Sequence, residues 1–309
     1  MVLAVKQTAC QCISPYLVSG EDLIVEPARS PVFGQKRMVL GSIPKDGGAL
    51  ILNESDVESA GNECTPYIRE LVGAKELLYG EMRWCLWMKD APKSALSIPF
   101  IAERTRQRKR FLQSSIAPST REYADFSPEL FRQISTQCGH SFLALPINVS
   151  QYRRCILCAF YGDRCIASNL VYAVPDADAS DFGIVSSRMH SVWFEMTCGR
   201  NGTSLRYTVE CCWNAFPFPK MSGSGKRRLN ELVSQILDAR KRCGMALVRM
   251  YNPDAMPDSL KTAHKKLDDV VDRLYNPDGF ASDRERLECL LRMYEEKTSR
   301  KPLDINQWC

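Results

Sequence analysis

Residues 166–219 constrain the fold more than any other part of this chain: a strand pattern, a helix pattern and a second strand pattern follow one another there, each with its own stop signal. Positions 169–174 are a short β-branched and aromatic run that ends at Pro175, and residues 176–181 supply turn formers and a helix N-cap. From Phe182 onward, Val185, Met189, Val192, Trp193 and Met196 recur at helical spacing on one face. Gly199 stands where a left-handed C-cap ends a helix. After the polar loop 200–204, residues 205–213 read as a strand that stops at Phe216, Pro217, Phe218 and Pro219, since alternating prolines cannot join a central ladder. Polar loops therefore flank a packed helix, an arrangement suited to recognition.

The chain before this stretch is β-rich. Short extended pieces at 16–18, 23–25, 38–40 and 49–52 are separated by turn formers, among them Asp46, Gly47 and Gly48. No Gly-Lys-Ser/Thr follows those glycines, so a plain turn is expected there in place of a phosphate cradle. Residues 53–56 predict the cap of a short helix, 66–72 a second helix before Gly73, and 81–88 a strand. Two more strands are expected at 142–146 and 155–160, and the loop between them carries Asn148, Gln151, Tyr152, Arg153 and Arg154. After Pro219, residues 221–226 read as a flexible linker, and the pattern becomes helical. Leu229, Leu232, Val233, Ile236 and Leu237 mark one apolar stripe, Leu260, Leu267, Val271 and Leu274 a second, and Leu287, Leu290, Leu291 and Tyr294 a third. Ser282 with Glu285 forms a capping-box signature, and Tyr-Asn-Pro-Asp occurs twice, at 251–254 and 275–278, as turns between helices. The expectation is an α+β chain: a mixed β-rich domain with inserted helices over residues 1–219, then a small all-α domain over 220–309.

Charge points to a candidate partner only where it clusters. The formal net charge is +5, which alone says little, but Arg104, Arg106, Arg108, Lys109 and Arg110 fall within seven residues, followed by Arg121. On a helix, Arg104 with Arg108 and Arg106 with Arg110 repel at i, i+4 unless a polyanion or acids such as Glu103 offset them. Two readings stay open, a solvated helix face and a surface for nucleic-acid phosphates. Of 14 cysteines, only Cys155 and Cys158 form a C-x-x-C pair. The three histidines, His140, His190 and His264, supply no second ligand pair, which favours buried thiols over a structural zinc.

No catalytic constellation is expected. Asp176, Asp178 and Asp181 fit a turn before a helix better than a metal site, and His190 beside Ser186 and Ser187 lacks an acid and an oxyanion hole. Neither a P-loop nor the glycine-rich turn of a dinucleotide or S-adenosylmethionine pocket occurs. No run reaches the roughly 20 apolar residues of a membrane span, and the first residues lack the pattern of a signal peptide, so a cytoplasmic protein with no membrane partner is expected.

Specific residues then carry a resemblance. Residues 41–48, 83–87, 103–106, 166–169, 182–187, 189–190, 198–200, 206–207 and 213–219 resemble the target-recognition domain of MmeI-like type II restriction-modification enzymes. Residues 237–240, 251–254, 256–257, 263–264, 267–268, 271–273 and 283–286 resemble the helical domain that follows it. The resemblance implies a sequence-specific DNA recognition module of an adenine-N6 DNA methyltransferase. Double-stranded DNA and a methyltransferase domain or subunit are its implied partners. S-adenosylmethionine is then expected on that methyltransferase domain, with no cofactor in this chain and no methyl transfer by it alone. The chain would be a separate specificity subunit or a fragment; the alternative is a degenerate or adaptor protein that binds a methyltransferase without reading DNA. The family's base-reading positions match Ile147 and Asn148, Asn169 and Leu170, and residues 202–206, which implies Asn148, Asn169, Ser204 and Arg206 as base readers. Arg104, Arg106, Arg108, Lys109, Arg110, Arg121, Arg153 and Arg154 are the expected phosphate contacts.

Overall fold

The computed structural model describes residues 23–299; the expected strand at 16–18 lies outside them. In chain order the elements are β1 (Val39–Leu40), β2 (Ile51–Leu52), α1 (Glu54–Ser59), β3 (Ile68–Val72), α2 (Ala74–Tyr79), β4 (Trp84–Leu86), α3 (Pro99–Gln113) and α4 (Pro118–Phe126). The strands β5 (Phe142–Pro146), β6 (Asn148–Ser150), β7 (Ala159–Tyr161), β8 (Ile166–Ala167) and β9 (Val171–Pro175) follow. Then come α5 (Ala179–Val185), α6 (Arg188–Thr197), β10 (Gly199–Asn201), β11 (Ser204–Arg206) and a π-helical turn at Val209–Asn214. The chain closes with α7 (Gly223–Cys243), α8 (Leu247–Met250), α9 (Asp258–Tyr275) and α10 (Asp283–Thr298). This is the α+β class expected from the sequence.

Three small sheets carry the β-rich part, in the orders β1-β9-β5-β7, β2-β4-β3-β8 and β10-β11-β6. Among the described residues the ladders are antiparallel except β3 with β8. The first two sheets meet where β8 runs on into β9. There Ser168 N donates to Val72 O (2.8 Å), Asn169 N to Ser42 O (3.0 Å), and Gly41 N to Val171 O (3.1 Å). Gly41 is required at this crossing, because a Cβ on it would stand 2.1 Å from the Ser168 carbonyl oxygen.

The central stretch departs from its expected strand, helix and strand in three places. The helix is two helices, broken at Ser186 and Ser187, whose hydroxyls bond back to Phe182 O (2.8 Å) and Ile184 O (2.7 Å). Ser187 also caps α6 by accepting from His190 N, so the same residues stop one helix and start the next. Gly199 begins β10, and Cys198, in an extended conformation, closes α6. The expected strand at 205–213 ends at Arg206. The π-helical turn after it buries Trp213, whose indole N–H donates to Lys36 O at 2.8 Å.

Two further expectations fail. Residues 66–72 are a 3-10 turn running into β3, because Ile68–Val72 pairs with β4 on one edge and β8 on the other, and tertiary pairing overrides a weak helical pattern. The expected linker at 221–226 is the first turn of α7, with Ser222 Oγ accepting from Gly225 N at 3.1 Å. The three apolar stripes beyond it hold. Leu229, Leu232 and Ile236 of α7, Leu260 and Leu267 of α9, and Leu290 of α10 join Leu143, Phe182, Trp193 and Trp213 in one continuous core. The two Tyr-Asn-Pro-Asp turns do more than separate helices: Tyr275 OH donates to Pro217 O (2.9 Å), and the Tyr251 hydroxyl sits between Arg240 Nε (2.8 Å) and His264 Nε2 (2.7 Å).

Candidate functional site

The loop expected at 147–154 opens with a strand, and that strand assembles the site. β6 pairs with β11 so that Asn148 lies opposite Arg206 and Ser150 opposite Ser204, and β11 pairs in turn with β10, setting Ser204 opposite Asn201. Side chains alternate across a strand, so Val149 and Leu205 go to the core while Asn148, Ser150, Ser204 and Arg206 share the other face. Asn148 and Arg206 are exposed. Asn201 Nδ2 donates to Asn148 Oδ1 at 3.5 Å, which adds an amide that sequence reasoning missed. The missed signal was Gly202. It holds φ +59° at the first position of a two-residue hairpin loop, where glycine is favoured.

The third loop joins this sheet through Ile147. Its N–H donates to Leu170 O (3.3 Å), and its carbonyl accepts from Tyr207 N (2.8 Å). Leu170 is exposed, and Asn169 beside it is half-buried, tied by its backbone to Ser42. Asn148, Asn169 and Arg206, which are up to 58 positions apart in the chain, thus fall on segments hydrogen-bonded to one another. The rigid support is the buried side of α6: His190 is fully buried, with Nε2 2.9 Å from Tyr207 OH and its ring against Phe216. Burial lowers its pKa to about 3, so the imidazole is neutral and packs against aromatic rings.

The cation cluster on α3 divides. Arg108 is fully buried, and its guanidinium donates to Pro44 O (3.0 Å), Pro128 O (2.7 Å) and Ser127 O (3.3 Å), so it cannot meet a phosphate in solvent. This corrects the sequence expectation: Arg108 falls on the same face of α3 as the buried Ile101 and Leu112, so its side chain is turned inward. Arg104 is held by Asp56 and Ala49 O. Arg106 pairs with Glu103 and Lys109 with Asp125, both exposed, and Arg110 is exposed. Arg121 donates to Ser115 O and Ile116 O from an exposed position. Arg153 and Arg154 stand apart from this helix, after β6.

The remaining motifs make local contacts. Asp178 and Asp181 form the capping box of α5 with Lys36 against them, and Asp176 Oδ2 lies 2.8 Å from His140 Nδ1. Burial pushes the Cys155 and Cys158 thiols up to about 12, which keeps both protonated. Asp46 closes its turn by accepting from Leu50 N (2.7 Å) and Ile51 N (3.1 Å).

One carboxyl carries a pH prediction. Burial pushes Asp268 up to about 6, although Arg188 N donates to its Oδ1 at 2.8 Å. Its folded pKa lies above the unfolded value, so its proton stabilises the fold at low pH. That contribution is lost as pH rises from about 4 through about 6. Asp268→Asn keeps an acceptor for Arg188 and removes the ionisation. The variant is expected to be more stable than wild type by roughly 2–3 kcal/mol at about pH 7 and nearly equal at about pH 4. Denaturant unfolding at both pH values checks it; a difference that does not change with pH contradicts it.

Comparison with known proteins places these features. The family descriptions "MmeI, target recognition domain" and "MmeI, C-terminal domain" match residues 19–220 and 222–301. DNA methyltransferase A of Bacillus subtilis (strain 168) is 37% identical over 292 residues, covering 93% of this chain and 33% of that protein. The chain therefore spans about a third of the length of that curated relative. Among solved structures, the type IIL restriction-modification enzyme MmeI in complex with DNA superposes with a TM-score of 0.87 at 30% identity, covering 94% of this chain and 39% of MmeI.

Proposed function

Because the chain belongs to the MmeI family, carrying its target recognition and C-terminal domains, we propose that it selects the DNA sequence for an adenine-N6 DNA methyltransferase of the restriction-modification type. The observation that carries this reading is the pairing of Asn148 with Arg206 on the exposed face of the β6–β11 ladder, bonded through Ile147 to the Asn169–Leu170 loop. An arginine there can donate twice to guanine O6 and N7, and an asparagine can pair with adenine N6 and N7, each worth about 1–3 kcal/mol of discrimination. Ser204, in the row beside them, offers a single hydroxyl. Arg106, Lys109, Arg110, Arg121, Arg153 and Arg154 are the cations left to meet phosphates.

Methyl transfer and S-adenosylmethionine belong, on this reading, to a methyltransferase domain or subunit acting with these residues. The purified 309-residue chain is expected to bind duplex DNA with affinity that falls steeply with salt and differs between sequences, and to transfer no methyl group until a methyltransferase is supplied. Fluorescence anisotropy over a salt series, alongside a methyl-incorporation assay, tests this. Binding that is absent or insensitive to salt contradicts the reading.

A further inference from the structure

Past β6 the chain turns, with Arg153 N donating to Ser150 O (3.2 Å), and enters a cleft of about 610 Å³ between the β6–β7 connection and α9. That volume lies in the range of small-ligand pockets. Arg153 and Arg154 stand on one side and Lys261 and Lys265, one helical turn apart, on the other. The two other cations of the wall are already matched, Arg188 by Glu195 and Asp283, and Arg286 by Asp272 and Asp283. Among the described residues Arg153, Arg154 and Lys265 make no ion pair, and Lys261 has only a 3.5 Å contact with the exposed Asp258. Arg153 is half-buried, and the loss of solvent holds its guanidinium below the usual arginine value. Opposing these four charges inside the cleft are Asp268, which already accepts from the Arg188 backbone, and the exposed Asp269. Four cations against two carboxylates leave an excess of positive charge lining the cleft, and a bound anion relieves it.

We propose that this cleft binds a phosphoryl group, its oxygens shared between the Arg153–Arg154 pair and the Lys261–Lys265 pair. The fixed arginine fork suits a tetrahedral oxyanion, and the lysines act as adjustable point charges. Tyr251, whose hydroxyl is held by Arg240 and His264, also lines the cleft and adds no negative charge. Two sources present this chemistry: a backbone phosphate of a duplex that has crossed the β6–β11 sheet, and a free phosphate compound. Only the first rests on the proposed DNA-recognition role.

The test uses the full chain and two double variants, Arg153→Gln with Arg154→Gln and Lys261→Gln with Lys265→Gln. Each is read by the salt dependence of duplex binding and by the Tm in inorganic pyrophosphate. If the phosphate is the duplex's, both variants lower the slope of log affinity against log salt by up to about 0.9, the share of one phosphate, equally for every sequence. If it is free, pyrophosphate raises the Tm of wild type and of neither variant, while the duplex slope stays the same. Either result supports the cleft as a phosphoryl site. Unchanged slopes together with no selective effect of pyrophosphate overturn it, whether or not the chain reads DNA. If wild type binds no duplex, the recognition role fails while the pyrophosphate arm still reports on the cleft.

Discussion

Gly41→Ala is expected to destabilise the protein by about 3 kcal/mol or more, at or beyond the upper end of overpacking costs, and to reduce soluble yield. The added methyl would stand 2.1 Å from the Ser168 carbonyl oxygen and 2.7 Å from the Ala167 carbonyl carbon, backbone atoms that no rotamer change can move. Relief would require parting the backbone around residues 41 and 168. The Gly41 N to Val171 O and Asn169 N to Ser42 O bonds set the loop carrying Asn169, so such a shift reaches the site as well as the core. Denaturant unfolding of the variant measures the cost; wild-type stability would contradict this account of the crossing.

Arg108→Met is expected to lower stability by roughly 3 kcal/mol while leaving the salt slope of DNA binding unchanged. Removing the guanidinium strips donors from three carbonyls, at Pro44, Ser127 and Pro128, and removes its contact with the Tyr123 ring. Relief of a buried charge offsets part of that loss, since burial pulls the Arg108 pKa down and its bonds among the described residues go to backbone carbonyls. Methionine keeps much of the stem's packing, so the deficit reports chiefly on the hydrogen bonds. Arg110→Gln on the same helix is the control. It should leave stability within about 0.5 kcal/mol of wild type and lower the slope by about 0.9 if Arg110 meets one phosphate. A salt slope that falls in Arg108→Met and holds in Arg110→Gln would reverse the assignment.

These two residues show what a sequence alone can disclose here. Helical periodicity identified the faces of α6, α7, α9 and α10, because burial of Leu229, Leu267 or Trp193 depends on local spacing that the chain itself displays. Strand pairing depends on partners far away. Ile68–Val72 looked helical until β4 and β8 flanked it, and residues 147–154 looked like a plain loop until β11 paired with Asn148–Ser150. The break at Ser186 and Ser187 was hidden because Val185, Met189, Val192 and Trp193, all buried, keep helical spacing in the sequence across it. Charge had the same limit: five cations within seven residues reveal a basic helix but not that Arg108 points inward. Asn148, Asn169 and Arg206 were legible as candidates through family resemblance, whereas the hydrogen bonds that gather their segments at Ile147 are a product of the fold.

The central claim, that the β6–β11 face selects a DNA sequence, is tested most directly by duplex binding to a library randomised over a short site, comparing wild type with Arg206→Ala. The account predicts that wild type enriches a defined site containing a guanine, and that Arg206→Ala loses preference at that base pair by about 1–3 kcal/mol while keeping its preferences elsewhere and its salt slope to within about one phosphate contact. Identical preferences in the two proteins, or a wild type that enriches no sequence at all, would contradict it.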